Sequence, residues 1–214
     1  MTLHRLALLA AAACAAGCTI APNRSSVVNE IDSTVRDMMK GSFREQGQAK
    51  LDRLQQDLAQ QACSAETPPA PEVAKRIEAE ALHSIRWPAN GQYIGDWREG
   101  EKLAQNGRGM TWTDPAGAPA GGNCYNCHKI SNEEVSFGTL GPSLYNYGKL
   151  RGVSDPASPQ AAAIVQYTWG KLYNAKAYNA CSGMPRFGHA GVLDEAQLRD
   201  LMALLLDPKS PVNR

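Results

Sequence analysis

Cys124-Tyr125-Asn126-Cys127-His128 constrains this chain more than any other stretch, because two thiols three residues apart followed at once by an imidazole form the attachment pattern of c-type haem. The thiols can add to the two vinyl groups of one porphyrin, and the next residue then sets an imidazole beneath the iron. Two plainer readings of a C-x-x-C unit lack support. A zinc site wants a second ligand pair at similar spacing, and the chain has no other C-x-x-C and no H-x-x-x-H. A thioredoxin-like pair wants a strand before it, whereas Asp114 to Gly122, D-P-A-G-A-P-A-G-G, reads as loop. The pattern predicts one covalently bound haem c on Cys124 and Cys127, with His128 as an axial ligand of the iron.

The start of the chain agrees with that chemistry. Arg5 precedes an apolar run from Leu6 to Ala16 that is too short to span a bilayer, so residues 1–18 read as an export signal and the protein as periplasmic. c-Type haem is attached outside the bacterial cytoplasm. Gly17-Cys18 after Ala15-Ala16 resembles a lipoprotein processing box, in which Cys18 becomes the lipidated first residue and a membrane anchor. The Leu favoured three positions before the cysteine is absent, and ordinary signal cleavage nearby is the alternative. Of the 6 cysteines, Cys14 and Cys18 then belong to the leader and Cys124 and Cys127 to haem, leaving Cys63 and Cys181. In an oxidising compartment these two are expected to pair, the alternative being two separate buried thiols. With 22 Lys+Arg against 21 Asp+Glu there is no basic stripe, so nucleic acid is not an expected partner.

The apolar spacing predicts an all-α chain in two parts. Residues 19–92 form a helical extension in which Val27, Val28, Ile31, Val35, Met38 and Met39 recur at helical spacing, the two methionines reading as core rather than as ligands. A Gln-rich helical stretch carrying Leu51, Leu54 and Leu58 follows. Thr67 to Pro71 breaks it, and Glu72 to Ser84 reads as a third helix that ends before Trp87-Pro88. Residues 93–214 form the second part. Asp96 is placed to cap a helix from Trp97 to Asn106, stopped by Gly107. Another helix runs from about Pro159 to Tyr173. Asp194 and Gln197 resemble a capping box opening a last helix whose apolar face is Leu198, Leu201, Met202 and Leu205, ended by Asp207-Pro208. No alternating pattern predicts a strand of useful length.

The sixth ligand of the iron decides what such a haem does. Met184 is the best candidate, because Gly183-Met184-Pro185-Arg186-Phe187-Gly188 frames it in a loop shape that neither helix nor strand imposes. A thioether raises the potential and closes the iron to substrates, which favours electron transfer over catalysis at the metal. His189 is the rival, and His83 and Met110 are weaker. Ligation by Cys181 would leave Cys63 unpaired. In Gly141-Pro142-Ser143-Leu144 the carbonyl of Pro142 is placed to accept the other imidazole N–H and fix the ring, unless the segment is simply a turn. Phe137, Tyr145, Tyr147, Trp169, Tyr173 and Phe187 are candidates to wall the haem.

First helix, C-x-x-C-H, G-P-x-L, middle helix, Met loop and last helix is the order of a class I cytochrome c. More narrowly, residues 96–213 resemble the SoxX family, the monohaem subunit of the SoxAX cytochrome of bacterial thiosulfate oxidation. The resemblance rests on Gly122 to His128, on Gly138-Thr139-Leu140-Gly141-Pro142-Ser143-Leu144, on Met184-Pro185-Arg186-Phe187-Gly188, and above all on Asp207-Pro208-Lys209-Ser210-Pro211-Val212-Asn213. It implies a class I cytochrome c-like domain over 93–214, His128/Met184 ligation and a tight SoxA-like partner carrying the catalytic haem. The implied enzyme is an L-cysteine S-thiosulfotransferase that couples thiosulfate oxidatively to a carrier cysteine of SoxYZ. This chain would be its electron-accepting subunit, delivering to a downstream cytochrome and contributing no catalytic residue. The alternative is a free-standing periplasmic class I cytochrome c that shuttles electrons alone.

Overall fold

The computed structural model describes residues 24–214, and the predicted export signal, Cys14 and the lipidation candidate Cys18 lie outside the described residues. The chain divides into two compact units, Met1–Arg44 and Glu45–Arg214. In the first, helix α1 spans Arg24–Ser42. Val28, Ile31, Val35 and Met38 recur three and four apart on it, so they share one face. That face is open. Met38 is 64% exposed, and the expectation that Met38 and Met39 are core is corrected for Met38, because the described part of this unit holds no second element to bury it against.

In the second unit the expected Gln-rich helix is two elements, a 3-10 turn over Leu51–Leu54 and helix α2 over Leu58–Cys63. Asp57 makes the break. Its carboxylate accepts from the Gln60 amide at 2.8 Å while the Gln60 side chain accepts from the Asp57 amide at 2.9 Å, a reciprocal capping box that starts a new helix at Leu58. Helix α3, Pro71–His83, opens on a proline where a missing N–H costs nothing. Asp96 caps α4, Trp97–Gln105, by accepting from the Arg98 amide at 2.8 Å. A short α5, Tyr147–Leu150, follows. Helix α6, Ala162–Tyr173, is entered through a 3-10 turn at Pro159–Ala161, and α7, Glu195–Leu206, opens on the Asp194/Gln197 capping box. Among the described residues there is no strand, and the fold is all-α.

Helix α7 is the axis of the core. α4 crosses it at Gly100, where an added Cβ would run into the Asp200 backbone, so only glycine admits so close a crossing. Val165, Trp169 and Leu172 of α6 join the same apolar cluster as Leu198, Leu201, Met202, Leu204 and Leu206 of α7. Every residue from Leu201 to Leu206 is buried, so α7 is covered on more than the single face its periodicity predicts.

The structure does not divide the chain near residue 92. The Trp169 indole donates to the Arg86 carbonyl at 2.9 Å, the Asn174 amide donates to the Ser84 hydroxyl at 3.0 Å, and Tyr93 meets Trp169 edge-on at 5.5 Å. Residues 45–92 belong to the same body as the rest because they hold too few large apolar residues to bury one another. Their own small cluster, Ala59 and Ile77, is completed by Ala180 from far along the chain.

The closing D-P-K-S-P-V-N phrase acts as a latch. The Asn213 carboxamide accepts from the Gly148 and Lys149 amides at 2.9 and 3.2 Å and donates to the Leu205 and Asp207 carbonyls at 3.0 Å each, joining the start of α5 to the end of α7. Ser210 and Val212 beside it are fully buried. Asn213→Ala leaves several of these buried groups without partners, at roughly 1–3 kcal/mol for each one that water does not reach. A fall in unfolding free energy of about 2–4 kcal/mol is expected in urea denaturation, whereas a loss under 1 kcal/mol would show that the latch is not structural.

Candidate functional site

The C-x-x-C-H segment is a tight turn. Asn123 takes a left-handed conformation with φ 49°, a 3-10 turn spans Cys124–Asn126, and the amides of Cys127 and His128 both donate to the Cys124 carbonyl at 3.1 and 2.9 Å. The chain then loops out and returns alongside it. Gly138 donates to the Tyr125 carbonyl at 2.8 Å, Gly141 to Cys127 at 2.8 Å, and Leu144 to Lys129 at 2.7 Å. This ladder carries the Pro142 carbonyl to 2.7 Å from His128 Nδ1. A carbonyl only accepts, so Nδ1 holds the proton and the lone pair lies on Nε2, the nitrogen that can ligate a metal. Gly141 lies close against the imidazole, and an added Cβ would overlap the ring.

The Cys124 thiol is quiet. Burial pushes the Cys124 thiol up to about 12, far from the depressed values of nucleophilic or redox-active cysteines. Cys124 and Cys127 are not joined to each other. Among the described residues, no three or more His, Cys, Asp and Glu side chains cluster as a metal site. Tyr125, between the two cysteines, donates its hydroxyl to Glu101 of α4 at 2.8 Å. Burial, which the Tyr125 bond only partly offsets, raises the Glu101 carboxyl above the usual range, and its second oxygen has no partner. Sequence reasoning missed this pair, for no spacing signals a contact between an exposed-looking helix glutamate and a turn residue 24 positions on.

Met184 is half-buried and packs against the same core that Cys124 and Leu144 border. On either side of it the chain is fastened elsewhere. A disulfide joins Cys181 to Cys63 with a Cα–Cα distance of 5.4 Å, so the Cys181 sulfur is engaged. Arg186 pairs with Asp57 at 2.6 Å. Burial alone would raise the Asp57 carboxyl, but the Gln60 amide and Arg186 outweigh it and hold it below the ordinary carboxylate range. His189 lines a cavity of about 170 Å³ with Asp57, Ile77, Ser84, Lys176 and Arg186. His83 is exposed at the end of α3, and Met110 lies in a loop with φ 62° where its carbonyl accepts from Arg53.

The six aromatics proposed as haem walls fall into two groups. Tyr147, Trp169, Tyr173 and Phe187 are buried in the protein core. Phe137 is 41% exposed, and the Lys129 ammonium sits 5.6 Å from its ring and 5.7 Å from that of Tyr145. Val135 and Leu140, in the loop that follows the histidine, are 98% and 90% exposed.

No protein-family model matches the chain. An uncharacterized lipoprotein of Aquifex aeolicus strain VF5 is 37% identical to it over 163 residues, which cover 74% of this chain and 73% of the relative. Among the described residues, no helix is long and apolar enough to cross a membrane.

Proposed function

We propose that this chain, which belongs to the same family as the Aquifex aeolicus lipoprotein, is an exported monohaem c-type cytochrome that carries electrons. The observation that carries this reading is the bond from His128 Nδ1 to the Pro142 carbonyl, which leaves Nε2 bare one residue after a C-x-x-C turn. The surroundings fit the group. Leu140, Val135 and Phe137, in the loop that follows the histidine, expose apolar surface that a porphyrin face would remove from water, and Cys124 borders the apolar core. Cys124 and Cys127 would hold the porphyrin, His128 one axial position and Met184 the other, within a class I cytochrome c-like arrangement of α4, α6 and α7. With those ligands a haem c supplies storage of one electron at a raised potential, with no coordination position left for substrate. The rest is the work of the chain: Pro142 fixes the imidazole, Gly141 leaves it room, and the core excludes water from one side.

The name of the relative supports Cys18 as a lipid anchor, and with the export signal this fits a protein held at a membrane face of the periplasm. The SoxX resemblance supports a partner. In that setting the sulfane sulfur of thiosulfate bonds to a carrier thiol on SoxYZ, the thiol proton is lost, and two electrons leave through a SoxA-like subunit. This chain accepts them one at a time and passes each to a downstream cytochrome before the next.

The purified chain is expected to keep one haem per molecule through denaturing electrophoresis. Its ferric form should show the weak band at about 695 nm of thioether ligation, lost in Met184→Ala. Survival of the band in Met184→Ala would assign the ligand elsewhere, with His189 next in line.

A further inference from the structure

We propose that α2 is a strut whose two ends grip the chain on either side of Met184, so that residues 57–63 set how firmly that methionine is held; the consequence for the iron rests on the His128/Met184 reading above. Beyond the burial of Phe187 and the packing of Met184 against the core, the segment has little hold of its own. Every backbone hydrogen bond made by residues 182–188 closes within 179–193, with Ser182 donating to Asn179, Met184 to the Ser182 hydroxyl, and Ala190, Val192 and Leu193 to Arg186 or Phe187. Gly183 beside the methionine has no side chain, and Pro185 no amide N–H, to fasten it.

Fastening comes from outside, at both ends of α2. Asp57, the N-cap, divides its carboxylate: one oxygen accepts from Gln60 and starts the helix, the other takes Arg186, two residues after Met184. Cys63, the last residue of the helix, is bonded to Cys181, three residues before Met184. A six-residue helix is about 9 Å long and stiff, so the two anchors are held at a fixed separation. Helix α3 braces the strut. Leu58 and Ala62 of α2 pack with Val73, Ala74 and Ile77 of α3, and Glu78 accepts from the Ala180 amide at 3.1 Å, next to the disulfide. Lys176 closes the same corner by donating to the Ala180 carbonyl at 3.1 Å. A thioether is a neutral, weak ligand, and its occupancy depends on the order of the segment that presents it. A strut outside the cytochrome core therefore gives that segment an order its own backbone lacks.

The test uses the full haem-bearing chain and three variants: Asp57→Asn, in which asparagine keeps the helix cap but cannot hold Arg186 as an ion pair; Cys63→Ser with Cys181→Ser; and all three changes together. Hydrogen exchange of amides 182–188 reports on the segment without reference to haem, and titration of the ferric protein with imidazole reports on Met184. Imidazole reaches the iron only when the methionine is off, so its apparent affinity scales with that fraction. Binding about tenfold tighter and faster exchange over 182–188 are expected in the combined variant, with smaller changes in the same direction in Asp57→Asn. Lys50→Ala, which removes the exposed pair with Glu45, should change neither. A merely structural role would lower the unfolding midpoint and leave imidazole affinity untouched well below it. Wild-type exchange and wild-type imidazole affinity in the variants overturn the proposal, and Asp57→Asn alone decides if the combined variant does not fold. Should the wild type lack the band at about 695 nm while the variants still exchange faster, the strut stands and the haem-ligand reading falls.

Discussion

Gly138→Ala is expected to unseat His128 without altering any residue that touches it. A Cβ at position 138 runs into the Asn126 carbonyl and lies 3.0 Å from the Cys127 amide nitrogen. These are backbone atoms of the C-x-x-C-H turn, so no rotamer change relieves the overlap, and one of the two segments has to move. Movement breaks the ladder at its first rung, Gly138 to Tyr125, and strains Gly141 to Cys127, which together keep the Pro142 carbonyl on the imidazole. Overpacking costs about 1–3 kcal/mol and the lost hydrogen bond about 1 more, so a loss of about 2–4 kcal/mol is expected in urea denaturation. With the proposed haem bound through His128, the low-spin ferric spectrum should give way as that ring loses its orientation. Gly41→Ala is the contrast, since nothing lies within 4 Å of a Cβ there and alanine favours the helix by about 0.5–1 kcal/mol. A Gly138→Ala protein that unfolds at the wild-type midpoint would show that the 138–144 segment does not hold the turn.

What the sequence revealed of this arrangement divides by distance along the chain. Asp96, Asp194 and Gln197 bond to amides two or three residues away, so the starts of α4 and α7 are legible without any fold. The Pro142 carbonyl returns to His128 within one short loop, and G-P-x-L after C-x-x-C-H announced it. Asp57 uses the same capping chemistry, yet the leucine spacing across it read as one helix, because a box within a Gln-rich stretch resembles its neighbours. Pairs that depend on how helices cross stayed hidden. Nothing in the sequence brings Asp57 to Arg186 or Glu101 to Tyr125. The aromatic residues show a related gap, since periodicity says that Trp169 and Tyr173 are covered but not by what, and the cover is the protein's own core. The boundary near residue 92 was drawn between a helix ending before Trp87-Pro88 and the next one capped by Asp96, whereas Trp169, Asn174 and Cys181 beyond it bond to Arg86, Ser84 and Cys63 before it and join both sides into one body.

On the proposed function, the purified chain alone is expected to give no turnover of thiosulfate with the carrier protein and an electron acceptor, and its proposed haem to be fully reduced once a SoxA-like subunit is added. The two halves of that expectation have separate causes. Sulfur transfer needs a thiol or an open metal to hold the sulfane sulfur; Cys63 and Cys181 are joined to each other, burial pushes the Cys124 thiol up to about 12, and on the proposed reading Cys124 and Cys127 are both spent on the porphyrin. Proposed ligation by His128 and Met184 closes the iron in the same way. Joining thiosulfate to a carrier thiol also releases two electrons, while one haem stores one, so reduction of this chain has to be fed in single steps by a centre that contacts the sulfur. With partner, thiosulfate and carrier present, omission of any one of the three should leave the chain oxidised. Steady thiosulfate consumption by the chain without the partner would place the sulfur chemistry on this subunit, and reduction by any periplasmic donor irrespective of the partner would favour a free-standing electron shuttle.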